Sequence, residues 1–346
     1  MTDYRFIRAC FREPVDMTPV WLMRQAGRYM SEYQAIREKV DFLDMCKTPE
    51  LAAKVTLQPI DKLNVDAAIL FSDILVLPEA MGIDLSFGKG MGPRLDPPVR
   101  SMSDIDRLKT IDPESSLLFV LDTIRILRKE LEGRAPLIGF SGAPFTLATY
   151  LVEGGSSKDF IHAKTMMFKE PESAHALFDK LSDSVALYLN AQIESGVQAV
   201  QLFDTWAGIC SPIDFKEFVA PYVQKVIGLL NRKNIPVIYY ANGGSTLLPQ
   251  MAGLGADVIG IDWRINIDDA WSKIGYDKAV QGNLDPCALF MDQPGLEARV
   301  RDILARTAER PGHIFNLGHG VLPETPVENV QALVKMVHSL SVRSNT

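Results

Sequence analysis

Eight short apolar runs, each broken off by a polar residue at its C-terminal end, constrain this chain more than any other feature: 19–22, 67–71, 136–140, 199–203, 236–240, 258–261, 279–282 and 313–317. Continuous runs of this length belong to strands covered on both faces. Between them lie segments with helical periodicity and helix-start signals, such as Thr48-Pro49-Glu50, Ser211-Pro212-Ile213-Asp214 and the capping-box pattern Thr325-Pro326-Val327-Glu328. Alternating strands and helices require parallel strands, and eight such units close into a barrel. The expected fold is therefore α/β, a single (β/α)8 TIM-type barrel spanning residues 1–346. An open doubly wound sheet is the alternative, although no Gly-x-Gly-x-x-Gly follows any run.

The remaining segments fit around this frame. Residues 1–18 carry mixed charge and Pro14, and are expected to form an arm or short helix over one end of the domain. Residues 29–40 read as a short amphipathic helix or ordered loop, 48–63, 104–109 and 114–131 as helices, and 171–195 as a long helix closed by Gly196. Residues 83–99, rich in Gly and Pro, read as a β-hairpin excursion or long loop after the second strand. Their Gly88-Lys89-Gly90-Met91-Gly92 lacks the spacing of a phosphate-binding loop and is read as turn chemistry. A Gly- and Ser-rich tip at 153–157 reads as mobile.

Composition narrows the function. A hydrophobic content of 47% with 23% charged residues describes a soluble globular protein. No apolar run reaches membrane-spanning length, and the charged start, 1–11, has no signal-type hydrophobic region, so no membrane partner and a cytoplasmic location are expected. Cys10, Cys46, Cys210 and Cys287 lie far apart with no Cys-x-x-Cys or His-x-Cys pair, so neither a disulfide framework nor a metal site is expected. A net charge of −7 argues against a nucleic-acid partner. It leaves an anionic substrate open, because arginines inside a cleft decide locally and charges beyond about 8 Å are screened.

The first run ends in Met23-Arg24-Gln25-Ala26-Gly27-Arg28-Tyr29. Two always-charged guanidinium forks at a strand end form a receptor for carboxylates or phosphates. A salt-bridged surface pair is the plain alternative. In a barrel the strand C-termini form the active face, and Arg24, Asp73, Ser141, Asp204, Thr205, Asn242, Asp262, Asn283 and His319 all fall there. Asp204, Asp262 and Asn283 are read chiefly as residues that hold loops. His162, His175, His313 and His338 read as surface or packing residues.

Five runs carry a family resemblance: Pro-Val-Trp-Leu-Met-Arg-Gln-Ala-Gly-Arg-Tyr (19–29), Leu-Gln-Pro (57–59), Ile-Leu-Phe-Ser-Asp-Ile-Leu (69–75), Gly-Ala-Pro-Phe-Thr-Leu-Ala-Thr-Tyr-Leu-Val-Glu-Gly (142–154) and Phe-Asn-Leu-Gly-His-Gly-Val (315–321). In order and over nearly the whole chain, they resemble uroporphyrinogen decarboxylase. That resemblance implies a (β/α)8 barrel, usually a homodimer, that removes the carboxyl groups of the four acetate arms of uroporphyrinogen III without any cofactor. It makes Arg24, Arg28 and Arg37 carboxylate binders, Asp73 the central residue, Tyr150 and His319 lining groups, and Phe203 part of an apolar wall. Gln25, Ala26, Gly27, Phe71 and Thr205 complete the implied substrate-binding set. The candidate catalytic residues are Asp73, Arg28, Arg37, Tyr150 and His319. The family commonly has Ser where this chain has Thr205, so a hydroxyl is kept and a methyl is added.

The chemistry of such a substrate fits those residues. A flexible ring with eight outer carboxylates and four inner pyrrole N–H donors needs cations around its rim and an anion at its centre. A pyrrole protonated on carbon is its own electron sink, and a carboxylate facing the ring nitrogens stabilises that cation more than the neutral ground state. The proton donor stays open among Arg28, Arg37, Tyr150, His319 and water. Two rival functions also stay open. Zinc methyltransferases of related barrels need a His-x-Cys pair, which the run Tyr239-Tyr240-Ala241-Asn242 lacks. A non-catalytic carrier of anionic tetrapyrroles would need the arginines but not Asp73.

Overall fold

Seven of the expected strands pair into one parallel sheet in the order β1-β4-β5-β6-β7-β8-β9: β1 (Ala68–Ile69), β4 (Leu137–Gly142), β5 (Ala199–Asp204), β6 (Val237–Ala241), β7 (Val258–Gly260), β8 (Ala279–Gln281) and β9 (His313–Ile314). The computed structural model describes residues 4–88, 92–232 and 234–343. Each strand of this sheet lies beside the sheet's next strand in chain order, with registers such as Ile138 to Ala199 and Val200 to Val237. Every residue of β4, β5 and β6 is buried. That is the environment that continuous Val, Ile and Leu runs require.

The run at 19–22 makes one parallel bridge, Val20 to Phe315. Its backbone nevertheless reaches both edges of the sheet. The Phe315 N–H donates to the Pro19 carbonyl at 2.9 Å, and on the other side the Asp66 N–H donates to the Val20 carbonyl at 2.7 Å. A buried polar chain crosses the interior as well. The Trp21 indole N–H donates to Gln281 Oε1 at 2.8 Å, and Gln281 Nε2 donates to Gln201 Oε1 at 3.3 Å. Buried side chains with donors must find acceptors, and here they do so across the sheet.

The excursion after β1 contains an antiparallel ribbon of β2 (Asp84–Phe87) and β3 (Pro93–Asp96). The expected turn at 88–92 falls on Lys89, Gly90 and Met91, which lie outside the described residues. The 153–157 tip is docked on this ribbon. The Leu95 N–H donates to the Gly154 carbonyl at 3.0 Å, and Gly155 bridges Arg94.

Helix ends show where local signals hold. Pro171–Ser195 closes on Gly196 at φ 116°, a left-handed cap that glycine adopts at little cost. Ser211 and Asp214 form the reciprocal capping box of Pro212–Phe218. Two expected caps are corrected. Thr48 precedes Pro49–Leu63, but its hydroxyl donates to the Asp44 carbonyl at 2.7 Å and makes no cap bond. The final helix, Val327–Leu340, has Pro326 at its cap, and the Thr325 hydroxyl is buried without a partner among the described residues. The segment expected as one helix at 114–131 is two, Pro113–Ser116 and Leu118–Glu130.

The N-terminal arm carries the helix Arg5–Cys10, which packs beside β9. Arg5 donates to Asp16 and, at 2.6 Å, to Asp66, whose other oxygen meets His338 Nε2 at 2.7 Å. Arm, sheet edge and final helix are thereby joined at the end of the sheet where strands begin, away from the strand ends that carry the arginines.

Candidate active site

The turn that carries Arg24 and Arg28 is built from its own backbone. Gln25 is buried, and its Oε1 accepts the Leu22 N–H at 3.1 Å while its Nε2 donates to the Ala67 carbonyl at 3.1 Å. The Tyr29 hydroxyl donates to the Gln25 carbonyl at 2.6 Å. Gln25 thus ties the turn to the start of β1, with Ala26 and Gly27 half-buried between the arginines. Arg24 sits at φ 63°, in the left-handed region. Arg24 and Arg28 are both exposed, and neither forms an ion pair among the described residues.

Arg37 ends the helix Ser31–Arg37 and donates to the Val40 carbonyl at 2.6 Å. The Tyr33 phenol feels both Arg28 and Arg37, and the Cys46 thiol feels both Asp73 and Arg37. These overlaps bring the second and third arginines to one side of the site. An aromatic path lines it: Tyr33 lies edge-on to Phe71 at 5.9 Å, and Phe42 lies edge-on to Phe71 at 6.0 Å and to Phe87 at 5.1 Å.

Asp73 follows β1 on a turn that leads into the helix Val76–Ala80. Its Oδ1 accepts the Leu75 N–H at 2.8 Å, and its Oδ2 has no hydrogen bond among the described residues. Burial pushes this carboxyl up to about 6, with the Leu75 amide and the Arg24 guanidinium opposing. A half-buried carboxylate with one oxygen fixed and one unused is set up to receive donors.

Tyr150 projects from the helix Pro144–Glu153, its ring 6.1 Å from Trp206. Burial raises its phenol, Asp73 adds to that rise, and Arg24 opposes it. Phe203, at the end of β5, meets Phe140 at 5.5 Å and Tyr240 at 6.3 Å, and half-buried Thr205 lies just beyond. His319 follows β9, 6.5 Å from the Tyr240 ring. Burial, with Arg24 and Arg264 adding to it and Asp262 opposing, lowers its imidazole to about 4. Arg24 therefore acts on Asp73, Tyr150 and His319 alike, and these four come together.

The other strand-end polar residues are engaged in holding neighbouring segments. Asp204 is buried and accepts from the Thr146 and Tyr239 hydroxyls, each at 2.7 Å. Asp262 accepts from the Gly243 and Arg264 backbone amides and pairs with the Arg264 side chain at 2.8 Å. Asn283 donates to the Asp262 and Ile265 carbonyls at 2.8 and 2.7 Å. Sequence reasoning missed Trp206, Tyr240 and Arg264. Of these only Arg264 carried a signal, two positions past the strand end at Asp262. Among the described residues, no three His, Cys, Asp or Glu side chains gather as a metal set.

Residues 1–340 match the model of the family described as uroporphyrinogen decarboxylase (URO-D). The chain is 53% identical over 336 residues to a uroporphyrinogen decarboxylase of Carboxydothermus hydrogenoformans, covering 97% of this chain and 96% of the relative. It is 55% identical over 337 residues to one of Geobacter metallireducens, covering 97% and 98%. Among solved structures, a methyltransferase from Methanosarcina mazei superposes with a TM-score of 0.82 at 22% identity, covering 97% of this chain and 98% of that one, a likeness of fold.

Proposed function

The chain belongs to the uroporphyrinogen decarboxylase family, and from that premise we propose that it removes the four acetate carboxyl groups of uroporphyrinogen III to give coproporphyrinogen III. The observation that carries this reading is the Asp73 carboxylate, one oxygen held by Leu75 and the other unused, close enough to Arg24 to feel its charge, while neither Arg24 nor Arg28 has a carboxylate partner among the described residues. The arginines grip outer carboxylates of the ring, with Arg37, Gln25, Ala26 and Gly27 shaping the rim and Phe71, Phe203 and Thr205 its walls. Asp73 accepts from the pyrrole N–H groups. Protonation of a pyrrole carbon makes the ring cationic, the C–C bond to the carboxylate breaks, and its electron pair enters the ring. CO2 leaves, the resulting methylene carbon takes a proton to become a methyl group, and the ring carbon gives back the proton it first received, so each arm consumes one proton overall.

Asp73 stabilises the cation that forms along this path more than the neutral substrate, which is what acceleration requires. His319, lowered to about 4, is neutral at pH 7 and suits hydrogen bonding rather than proton supply. Tyr150, raised by burial, is a weaker acid than a free phenol. Arginine, with a pKa above about 12, gives up a proton only to a strongly basic intermediate, so Arg28 or Arg37 acts with a bound water.

We read the architecture as a single (β/α)8 barrel with 19–22 as its first strand, an arm at 1–18 and an excursion at 83–99. The hydrogen bonds from Pro19 and Val20 to both sheet edges support closure. The assembly is read as a homodimer, for which exposed Ile161, Phe168 and Ile213 offer apolar surface, and the location as cytoplasmic. Among the described residues no helix is long and apolar enough to cross a membrane. The test is turnover by the purified, metal-depleted protein. Release of CO2 with appearance of coproporphyrinogen supports the reading; binding of uroporphyrinogen without CO2 identifies a carrier, and activity only on restoring zinc identifies a methyltransferase-type metal site.

A further inference from the structure

Arg24 occupies the space that a side chain on Gly320 would take. A Cβ built on Gly320 would lie 2.8 Å from Arg24 Cγ and 3.0 Å from Arg24 Nε, and closer still to Cδ. Carbons in contact pack at about 3.5–4.0 Å, so the stem of Arg24 lies against bare backbone there. Gly320 itself does not adopt the left-handed region, so its own conformation does not call for glycine. The requirement comes from its neighbour.

Arg24 is constrained from its own side too. At φ 63° it sits in the left-handed region, which strains an L residue, and the surrounding backbone holds it there. The Met23 N–H donates to Asn316 Oδ1 at 3.1 Å, and the Met23 carbonyl accepts the Val321 N–H at 2.9 Å. Asn316 and Val321 flank the turn that contains Gly320. The backbone that carries Arg24 and the glycine it lies over are therefore one clasped unit, which also delivers His319.

We propose that Gly320 is a positioning residue, a bare seat that sets where the Arg24 guanidinium stands at the mouth of the site. The inference deepens the proposed function and rests on its reading of Arg24 as a carboxylate binder. A displaced guanidinium misaligns the substrate arms, and a misplacement of 1 Å can lower a rate by about 10²-fold. Because only a flexible side chain has to move, an alanine at this position keeps the fold.

The experiment is a double-mutant cycle on uroporphyrinogen turnover with thermal melts alongside. Gly320→Ala is expected to keep the wild-type Tm and lose about 10²-fold in kcat/KM. On an Arg24→Ala background, where the crowding stem is gone, the same change is expected to cost nothing further. Wild-type kcat/KM for Gly320→Ala, or an equal loss in both backgrounds, overturns the proposal and makes the glycine a packing residue. Wild-type turnover by Arg24→Ala overturns the reading of Arg24 first, and the seat with it.

Discussion

Asp73 Oδ1 accepts the Leu75 N–H at 2.8 Å, a bond closed within its own turn that fixes the carboxylate and leaves Oδ2 unused among the described residues. Burial holds the group at about 6 in the free protein. If its charged form is the one that faces the ring nitrogens, activity rises as the group ionises. The expected kcat/KM profile therefore has an acid limb near pH 6, and because a cationic ring favours the carboxylate, the limb in kcat lies lower. Steady-state rates from pH 5 to 8 check this. Asp73→Asn is expected to lose about 10²–10³-fold in kcat while binding is largely kept; a variant with unaltered rates sinks the central assignment.

The same carboxyl carries a cost in stability. Its folded pKa of about 6 exceeds the ordinary value of 3.8, so between about pH 4 and pH 6 the folded chain holds more protons than the unfolded chain. Its contribution is fully present below pH 4 and is lost as pH rises through 6. Asp204, also raised to about 6 by burial, adds a trend of the same sign. Asp73→Asn keeps the acceptor for Leu75 and removes the half-buried charge, so it is expected to be more stable than wild type by about 1–3 kcal/mol at pH 7 and equal to it at pH 4. Urea unfolding at the two pH values gives the comparison.

The parallel order and the polar strand ends were legible because each apolar run stops where the backbone leaves the sheet, and Asp73, Thr205 and His319 mark those stops. What was not legible depends on distant contacts. Tyr240 reads as strand filler, yet its hydroxyl donates to the Gly318 carbonyl, 78 positions away, at 2.7 Å. Ser211 and Thr325 carry the same helix-start signature, but Ser211 is at the surface and caps while Thr325 is turned inside and does not. Trp206 joins the site through its contacts with Tyr150 and Phe160, from two different segments. Gln25 stood among the rim residues on resemblance, and its amide is committed to Leu22 and Ala67, which no local pattern announces.

His319 offers a neutral imidazole at pH 7, with burial and two arginines holding it near 4. A group in that state donates or accepts hydrogen bonds but supplies little imidazolium. His319→Asn keeps a polar group of similar reach and is expected to lose less than about tenfold in kcat, whereas loss of a general acid costs about 10²–10⁴-fold. Single-turnover CO2 release distinguishes the two.

Arg28 is exposed and forms no ion pair among the described residues, so its removal takes nothing from the fold. Arg28→Ala is expected to leave Tm unchanged and to raise KM by about tenfold to a hundredfold, the scale of one lost charge-assisted hydrogen bond set. The wild-type KM is also expected to rise with salt, since rim charges are screened beyond about 8 Å at physiological ionic strength. Titration of KM against sodium chloride, with and without the substitution, tests both parts; the variant shows the shallower dependence.

Asp66 stands at the opposite end of the sheet and separates stability from catalysis. Its Oδ1 accepts from Arg5 at 2.6 Å, and its Oδ2 accepts the buried Val20 N–H and meets His338 Nε2, each at 2.7 Å. One carboxylate therefore joins the arm, the 19–22 run and the final helix. Asp66→Ala leaves the buried Val20 amide without its acceptor and takes one of two carboxylates from the partly buried Arg5 guanidinium, which keeps Asp16, and orphaning such a group costs about 1–3 kcal/mol. Asp66→Asn retains an acceptor for Val20 and is expected to recover part of that loss. The urea midpoint is expected to fall in the order wild type, Asn, Ala with the slope unchanged. Because the arginine turn is clasped by Gln25, Asn316 and Val321 rather than by Asp66, kcat/KM per folded molecule at low temperature is expected to stay at the wild-type value; a loss of activity without a shift in midpoint runs against this division.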